Sequence, residues 1–124
     1  MIDQFRNAVF VDAFYWIAIT NPGDSTHVAA TAFDTSFSRP NIVTTEEVLT
    51  EFLTYFAGRG PMLRKKAAAI TAAILTDPSI WVLPQTHESF LAGLALYAAR
   101  FDKAYSLADC ISMQSMRPSP CMLF

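Results

Sequence analysis

The stretch AVFVDAFYW, residues 8–16, decides the fold. It is a short, continuous apolar run broken by a single acid, Asp12. A strand with one wet face alternates apolar and polar residues. An unbroken run fits a strand covered on both faces, as in a parallel sheet. The stretch therefore predicts a buried strand of a parallel sheet. Asp12 stands at the C-terminal end of that strand, and open α/β sheets bind ligands beyond the carboxyl ends of their strands. The same residue has a structural alternative, as the cap of a helix starting at Ala13 or Phe14.

Outward from this stretch, helices and strands alternate. NPGDST, 21–26, reads as a turn in which Asp24 or Ser25 caps a helix running to about Phe37. RPNIVTT, 39–45, reads as a second strand after a proline break. Thr44 or Thr45 then caps a helix to about Ala57, with Glu46 and Glu47 in its first turn, where the helix dipole favours acids. GRGP, 58–61, stops that helix, and Pro61 starts another through the Ala-rich stretch 62–76. SIWVLP, 79–84, is a third strand. Phe90, Leu94, Tyr97 and Phe101 form a helical stripe over 87–101, and Ser106 caps a last helix over 107–116. This order predicts an α/β fold with a central parallel sheet, in one domain spanning 1–124. The tail RPSPCMLF, 117–124, is atypical: two prolines and then four apolar residues, read as an edge strand or as a shortened, altered C-terminal strand region.

Composition narrows the function. A chain of 124 residues that is 52% hydrophobic and 16% charged can fill one core. Its net charge of −2 provides no overall field for a polyanion, so contact with nucleic acid would need a local basic patch or bound cations. The densest basic run is LRKK, 63–66, with Arg59 nearby; it reads as a solvated helix start, with RNA phosphate contact as the alternative. Four glycines form no phosphate-binding loop, and His27 and His87 have no zinc spacing. Ser106 and Cys110 lack a histidine context for nucleophilic chemistry. Cys110 and Cys121 fit a reducing compartment, no apolar run approaches the roughly 20 residues of a membrane helix, and the N-terminus does not read as a signal peptide. A cytoplasmic protein is expected. Trp16, Trp81 and the ten phenylalanines read as core or dimer interface rather than base-stacking platforms.

Three further acids stand in awkward places. Glu51 falls just outside the apolar arc of Val48, Leu49, Phe52, Leu53 and Phe56, beside Val48 and Tyr55. Asp109 is the one charge of helix 107–116 and projects between Met113 and Met116, although Ser106 and Asp109 also fit a capping box. Asp102 lies at a helix C-terminus, where the dipole disfavours negative charge. Each acid alone reads as a cap or a surface group. Together with Asp12 they come from a strand end and several helices that can converge at one edge of a sheet. Clustered carboxylates repel unless cations neutralise them, and hard cations prefer oxygen ligands. Such a site can activate water and stabilise displacement at phosphorus.

Three stretches resemble the PIN-domain family, in particular its toxins from toxin–antitoxin pairs. VFVDAFYWIAI resembles the family's first strand with its terminal metal-binding Asp, here Asp12. IVTTEEVLTEFLTYF resembles the second strand and its helix, with the family's Glu at Glu51. FDKAYSLADCISMQSM resembles the segment of the third acid, Asp109, with Asp102 as a frequent additional acid; DSTHVAATAF resembles the helix after the first strand. The resemblance covers residues 8–116. It implies a PIN-like α/β/α sandwich and a Mg²⁺- or Mn²⁺-dependent endoribonuclease. Asp12, Glu51 and Asp109 would hold the metal, and Asp102 would join the catalytic set. It also implies an RNA substrate, an antitoxin partner and homodimerisation. One feature departs from the family, which continues into a further strand and another acid, whereas no Asp or Glu follows Asp109 here. A second reading is therefore a catalytically impaired PIN-fold protein that binds RNA or antitoxin. A third is an α/β interaction module whose acids are caps.

Overall fold

The structure, a computed structural model, describes residues 8–20 and 41–116 and the backbone of 122–123. The expected turn and helix over 21–37, His27 and Cys121 lie outside the described residues.

The expected strand at 8–16 divides in two. Its first part is β1 (Val9–Phe10), and α1 (Ala13–Thr20) follows after two residues. Asp12 causes the break: its Oδ1 accepts a hydrogen bond from the Tyr15 amide at 3.3 Å and starts the helix. The misreading has a physical reason, since an unbroken apolar run fits a buried helix as well as a buried strand. Ala13, Tyr15, Trp16, Ala18 and Thr20 are all buried, so α1 has no polar face to reveal its period.

Then come β2 (Ile42–Thr45), α2 (Glu46–Ala57), α3 (Pro61–Thr76), β3 (Ile80–Leu83), α4 (His87–Ala99), α5 (Leu107–Met116) and β4 (Met122–Leu123). The sheet order is β3-β2-β1-β4. Every pairing is parallel, with Val9 opposite Ile42 and Met122, and Ile42 opposite Ile80. The parallel sheet expected from the sequence is present, and residues 122–123 of the tail form an edge strand. The chain steps from β1 to β2 to β3 and then crosses back to β4 on the other side of β1. That reversal makes a crevice at the carboxyl end of β1, where α/β sheets bind ligands.

Local signals explain the helices. Thr45 caps α2 by accepting from the Val48 amide at 3.1 Å. Gly60 precedes α3 at φ 99, a left-handed backbone that favours glycine, and Pro61 begins the helix. Val11, Val43, Phe52 and Phe56 are fully buried in the core, the two rings meeting edge to face at 5.4 Å. Helix α4 packs chiefly on α5. A Cβ at Gly93 would stand 2.8 Å from Ile111 Cα, so only glycine permits this approach. The rest of α4 is open: Phe90, Leu91, Leu94 and Tyr97 are exposed, with Phe101 beyond its end.

Two buried threonines tie these parts together. Thr44 Oγ1 donates to the Val11 carbonyl at 3.0 Å, locking β2 to the segment that leads into Asp12. Thr45 Oγ1, besides capping α2, shares a 3.2 Å hydrogen bond with Ser112 Oγ of α5. Thr45→Val is expected to destabilise the chain by about 2 kcal/mol, through the lost cap and the orphaned Ser112 hydroxyl. Urea unfolding measures it, and a loss under about 0.5 kcal/mol would contradict this role.

Candidate active site

Asp12 reaches the crevice from the end of β1, where its capping bond to Tyr15 fixes its orientation. Glu51 lies in the second turn of α2, the helix that Thr45 starts. Asp109 is at the third position of α5 in a reciprocal capping box: its amide donates to Ser106 Oγ at 3.0 Å, and its Oδ2 accepts from the Ser106 amide at 3.1 Å. Ser112, one turn further along α5, is the residue bonded to Thr45. These contacts bring Asp12, Glu51 and Asp109 to the wall of a single open cavity of about 490 Å³, completed by Ala13, Phe14, Ile17, Thr54 and Tyr55. For Asp12 and Asp109, capping and a place in the cavity are therefore not alternatives; each residue has both.

Asp102 is elsewhere. It follows the end of α4 in an exposed ion pair with Arg100, Nε to Oδ1 at 3.3 Å, and does not line this cavity. The basic residues near α2 mostly fold back on helix ends. Arg59 Nε donates to the Tyr55 carbonyl at 2.9 Å, Arg64 to Ala57 at 3.0 Å, and Lys66 to Thr20 at 3.2 Å. Phe14, which sequence reasoning placed in the core or an interface, is 50% exposed at the cavity. Its signal was its position: it follows the capping acid by two residues, in the first turn of a helix that buries its other side.

The electrostatics follow from the geometry. Burial raises the Asp12 carboxyl above its ordinary 3.8, and the Asp109 charge adds to this, while the Tyr15 amide opposes it. Glu51 is raised above 4.5 by burial of its carboxyl, then by Asp109 and Asp12. Its side chain stays solvent-accessible, so the burial is partial. Asp12 and Asp109 also sit at helix N-termini, where the dipole favours negative charge. Glu51, inside α2, has no such compensation.

The oxygen donors suit a hard cation. Among the described residues, however, no three of His, Cys, Asp and Glu stand close enough to share one ion as placed. A hydrated Mg²⁺ fits this arrangement better than a stripped one, because it keeps several waters and takes only one or two carboxylates directly.

No family model and no curated protein sequence matches the chain. Among solved structures, the chain is similar to the VapC20 toxin of Mycobacterium tuberculosis, described as a sarcin-ricin loop cleaving toxin. The two share 27% identity at a TM-score of 0.77, over 88% of this chain and 81% of that one. VapC20 is a PIN-domain toxin ribonuclease, and the fold of the present chain is PIN-like, as the resemblance in sequence implies. Among the described residues, no helix is long and apolar enough to cross a membrane.

The raised carboxyls make a pH prediction. The folded state of Asp12 and Glu51 holds protons more tightly than the unfolded chain, whose groups titrate near 3.8 and 4.5. Their contribution to stability is thus present at low pH and is lost as pH rises from those values through the raised ones. Asp109→Asn keeps an acceptor for the Ser106 amide and removes the charge common to both shifts. At neutral pH and without divalent cations, the variant is expected to be more stable than the parent by up to about 1 kcal/mol. Thermal melts at several pH values test this: the difference between the two proteins should shrink toward acid pH, and a constant difference would refute the coupling.

Proposed function

We propose that the chain is a metal-dependent endoribonuclease that hydrolyses RNA phosphodiester bonds as the toxin of a toxin–antitoxin pair. The observation that carries this reading is the meeting of Asp12, Glu51 and Asp109, from three separate elements, on one open cavity at the carboxyl end of β1. The similarity to a toxin that cleaves RNA supports it.

Asp12 and Asp109 would hold Mg²⁺ or Mn²⁺, their orientations set by the Tyr15 and Ser106 amides. Glu51 completes the donor set through water or directly. When bound, the cation supplies positive charge for the phosphate and polarises water. The chain's own residues do the rest. The two capped carboxylates are rigid, which keeps the reacting groups aligned. Glu51 is the carboxylate without a helix-end amide, and burial and two neighbouring charges raise its basicity. It is the group best suited to take the proton from the attacking water. Asp102 lies outside this cavity and has no step here.

Partners follow the same reading. Phe90, Leu94, Tyr97 and Phe101 make an exposed apolar stripe on and just past α4, and two copies pair through it. An antitoxin protein is the second partner. The setting is the cytoplasm, where the free, buried Cys110 stays reduced.

A second reading is favoured by the separation of the three carboxylates, which do not converge on one coordination point as placed. It is a PIN-fold protein that binds RNA or antitoxin without cutting. Calorimetry with Mg²⁺ and Mn²⁺, followed by cleavage of single-stranded RNA, separates the two. The parent chain is expected to bind the cation and cut. Asp12→Asn keeps the cap acceptor for Tyr15 and should lose about 10- to 100-fold in cation affinity or cleavage. RNA binding without cleavage at any cation concentration supports the second reading, and equal cleavage by Asp12→Asn defeats the first. For the dimer, Leu94→Glu is expected to halve the mass seen by light scattering; a parent chain that is monomeric at high concentration rules the pairing out.

A further inference from the structure

The ribonuclease reading leaves a physical problem. RNA is a polyanion, the chain carries a net charge of −2, and three acids line the cavity. A cation at the site can neutralise one phosphate. The flanking phosphates and bases need other partners.

Tyr55 and Arg59 form a built unit at this place. Tyr55 lines the cavity with the acids. Its ring is pinned by the edge of Phe56 at 4.9 Å, and the Arg59 guanidinium lies over it, 3.8 Å from the centroid. Arg59 Nε is committed to the Tyr55 carbonyl at 2.9 Å, which fixes the plane of the guanidinium. Among the described residues, its terminal nitrogens have no hydrogen bond or ion pair. Arg64 and Lys66 each place a terminal nitrogen on a carbonyl, of Ala57 and Thr20, and Arg100 pairs its Nε with Asp102; Arg59 differs in being stacked on a ring that lines the cavity. Arg59 thus presents an oriented, open fork one ring away from the cavity. Such a fork matches a phosphate bidentately. Phe14 is the other feature that catalysis does not use: a half-exposed ring on the same cavity wall, where a base can stack.

We propose that Arg59, stacked on Tyr55, binds a phosphate flanking the scissile one, and that Phe14 stacks a base of the same single strand. The inference rests on the ribonuclease reading and adds the residues that hold the substrate. The contacts are independent of sequence, so they provide grip rather than target choice. A strand held by one phosphate and one base is presented to the acids in single-stranded form, because bases inside a duplex have both faces covered by their stacked neighbours.

The test is fluorescence anisotropy with a short single-stranded RNA of mixed sequence and the full parent chain, with Ca²⁺ in place of Mg²⁺ so that the strand is held and not cut, over a range of salt. Arg59→Gln is expected to weaken binding about tenfold and to reduce the slope of log affinity against log salt by about 0.7, the value for one lost phosphate contact on a single strand. Arg59→Lys should keep the slope but recover only part of the affinity, because the stacked fork is gone. Phe14→Ala should weaken binding about tenfold and leave the slope unchanged. Arg59 also ties the end of α2, so melting temperatures are measured alongside. Weaker binding by Arg59→Gln without a change in slope would mark a structural role and overturn the proposal. Arg59→Gln and Phe14→Ala binding like the parent chain would overturn it and leave the ribonuclease reading standing. No RNA binding by the parent chain would overturn both.

Discussion

Two buried hydroxyls, those of Thr44 and Thr45, hold the candidate site together. Thr44 fastens β2 to the Val11 carbonyl, beside Asp12. Thr45 starts α2, which carries Glu51, and meets Ser112 on α5, which carries Asp109. Buried hydroxyls are costly unless paired, and here each pairing spans separate elements. The requirement that these groups be satisfied is therefore also a requirement that three acid-bearing segments arrive at one place. Gly93 reinforces it from outside, since its lack of a side chain lets α4 press directly on Ile111 of α5.

The resulting cavity stores electrostatic tension. Burial raises both Asp12 and Glu51, and the Asp109 charge raises them further. Two helix N-termini offset part of this, which is why acids of this kind can sit at caps without unfolding the chain. A divalent cation held there, as proposed, would relieve the remainder. Perturbed carboxyls gathered in a cleft at a topological switch point mark a candidate functional site. The same tension explains why the fixed cations near the cavity matter. Arg64 and Lys66 each bond a helix-end carbonyl, and Arg59 is the cation stacked on a ring of the cavity wall.

Much of this was legible in the sequence. The alternation of elements, the caps at Thr45 and Ser106 and the start at Pro61 are local chemistry, written in adjacent residues. Asp12, Glu51 and Asp109 were readable because each sits where a charge fits its surroundings poorly. The boundary of β1 was not readable: α1 is apolar even at Phe14 and Ile17 on its open side, so its 3.6-residue period leaves no polar trace. Asp102 looked tense beside a helix end, but the chain turns there and Arg100 takes its charge. The stripe on α4 was legible as a stripe, while its exposure was not, since periodicity gives a face and not its neighbour.

The sequence by itself determined the helices and strands from β2 to α5, that the sheet is parallel, and which acids are out of place. Those are matters of short-range sterics, capping and hydrophobic period. Only the tertiary structure decided that three of the four acids share a cavity, that Phe14 faces it and that Arg59 lies over Tyr55 beside it. Such contacts depend on how elements far apart in the chain pack, as with Thr45 and Ser112, 67 residues apart and joined by one hydrogen bond. No local rule of sequence fixes a distance of that kind; the packed core does.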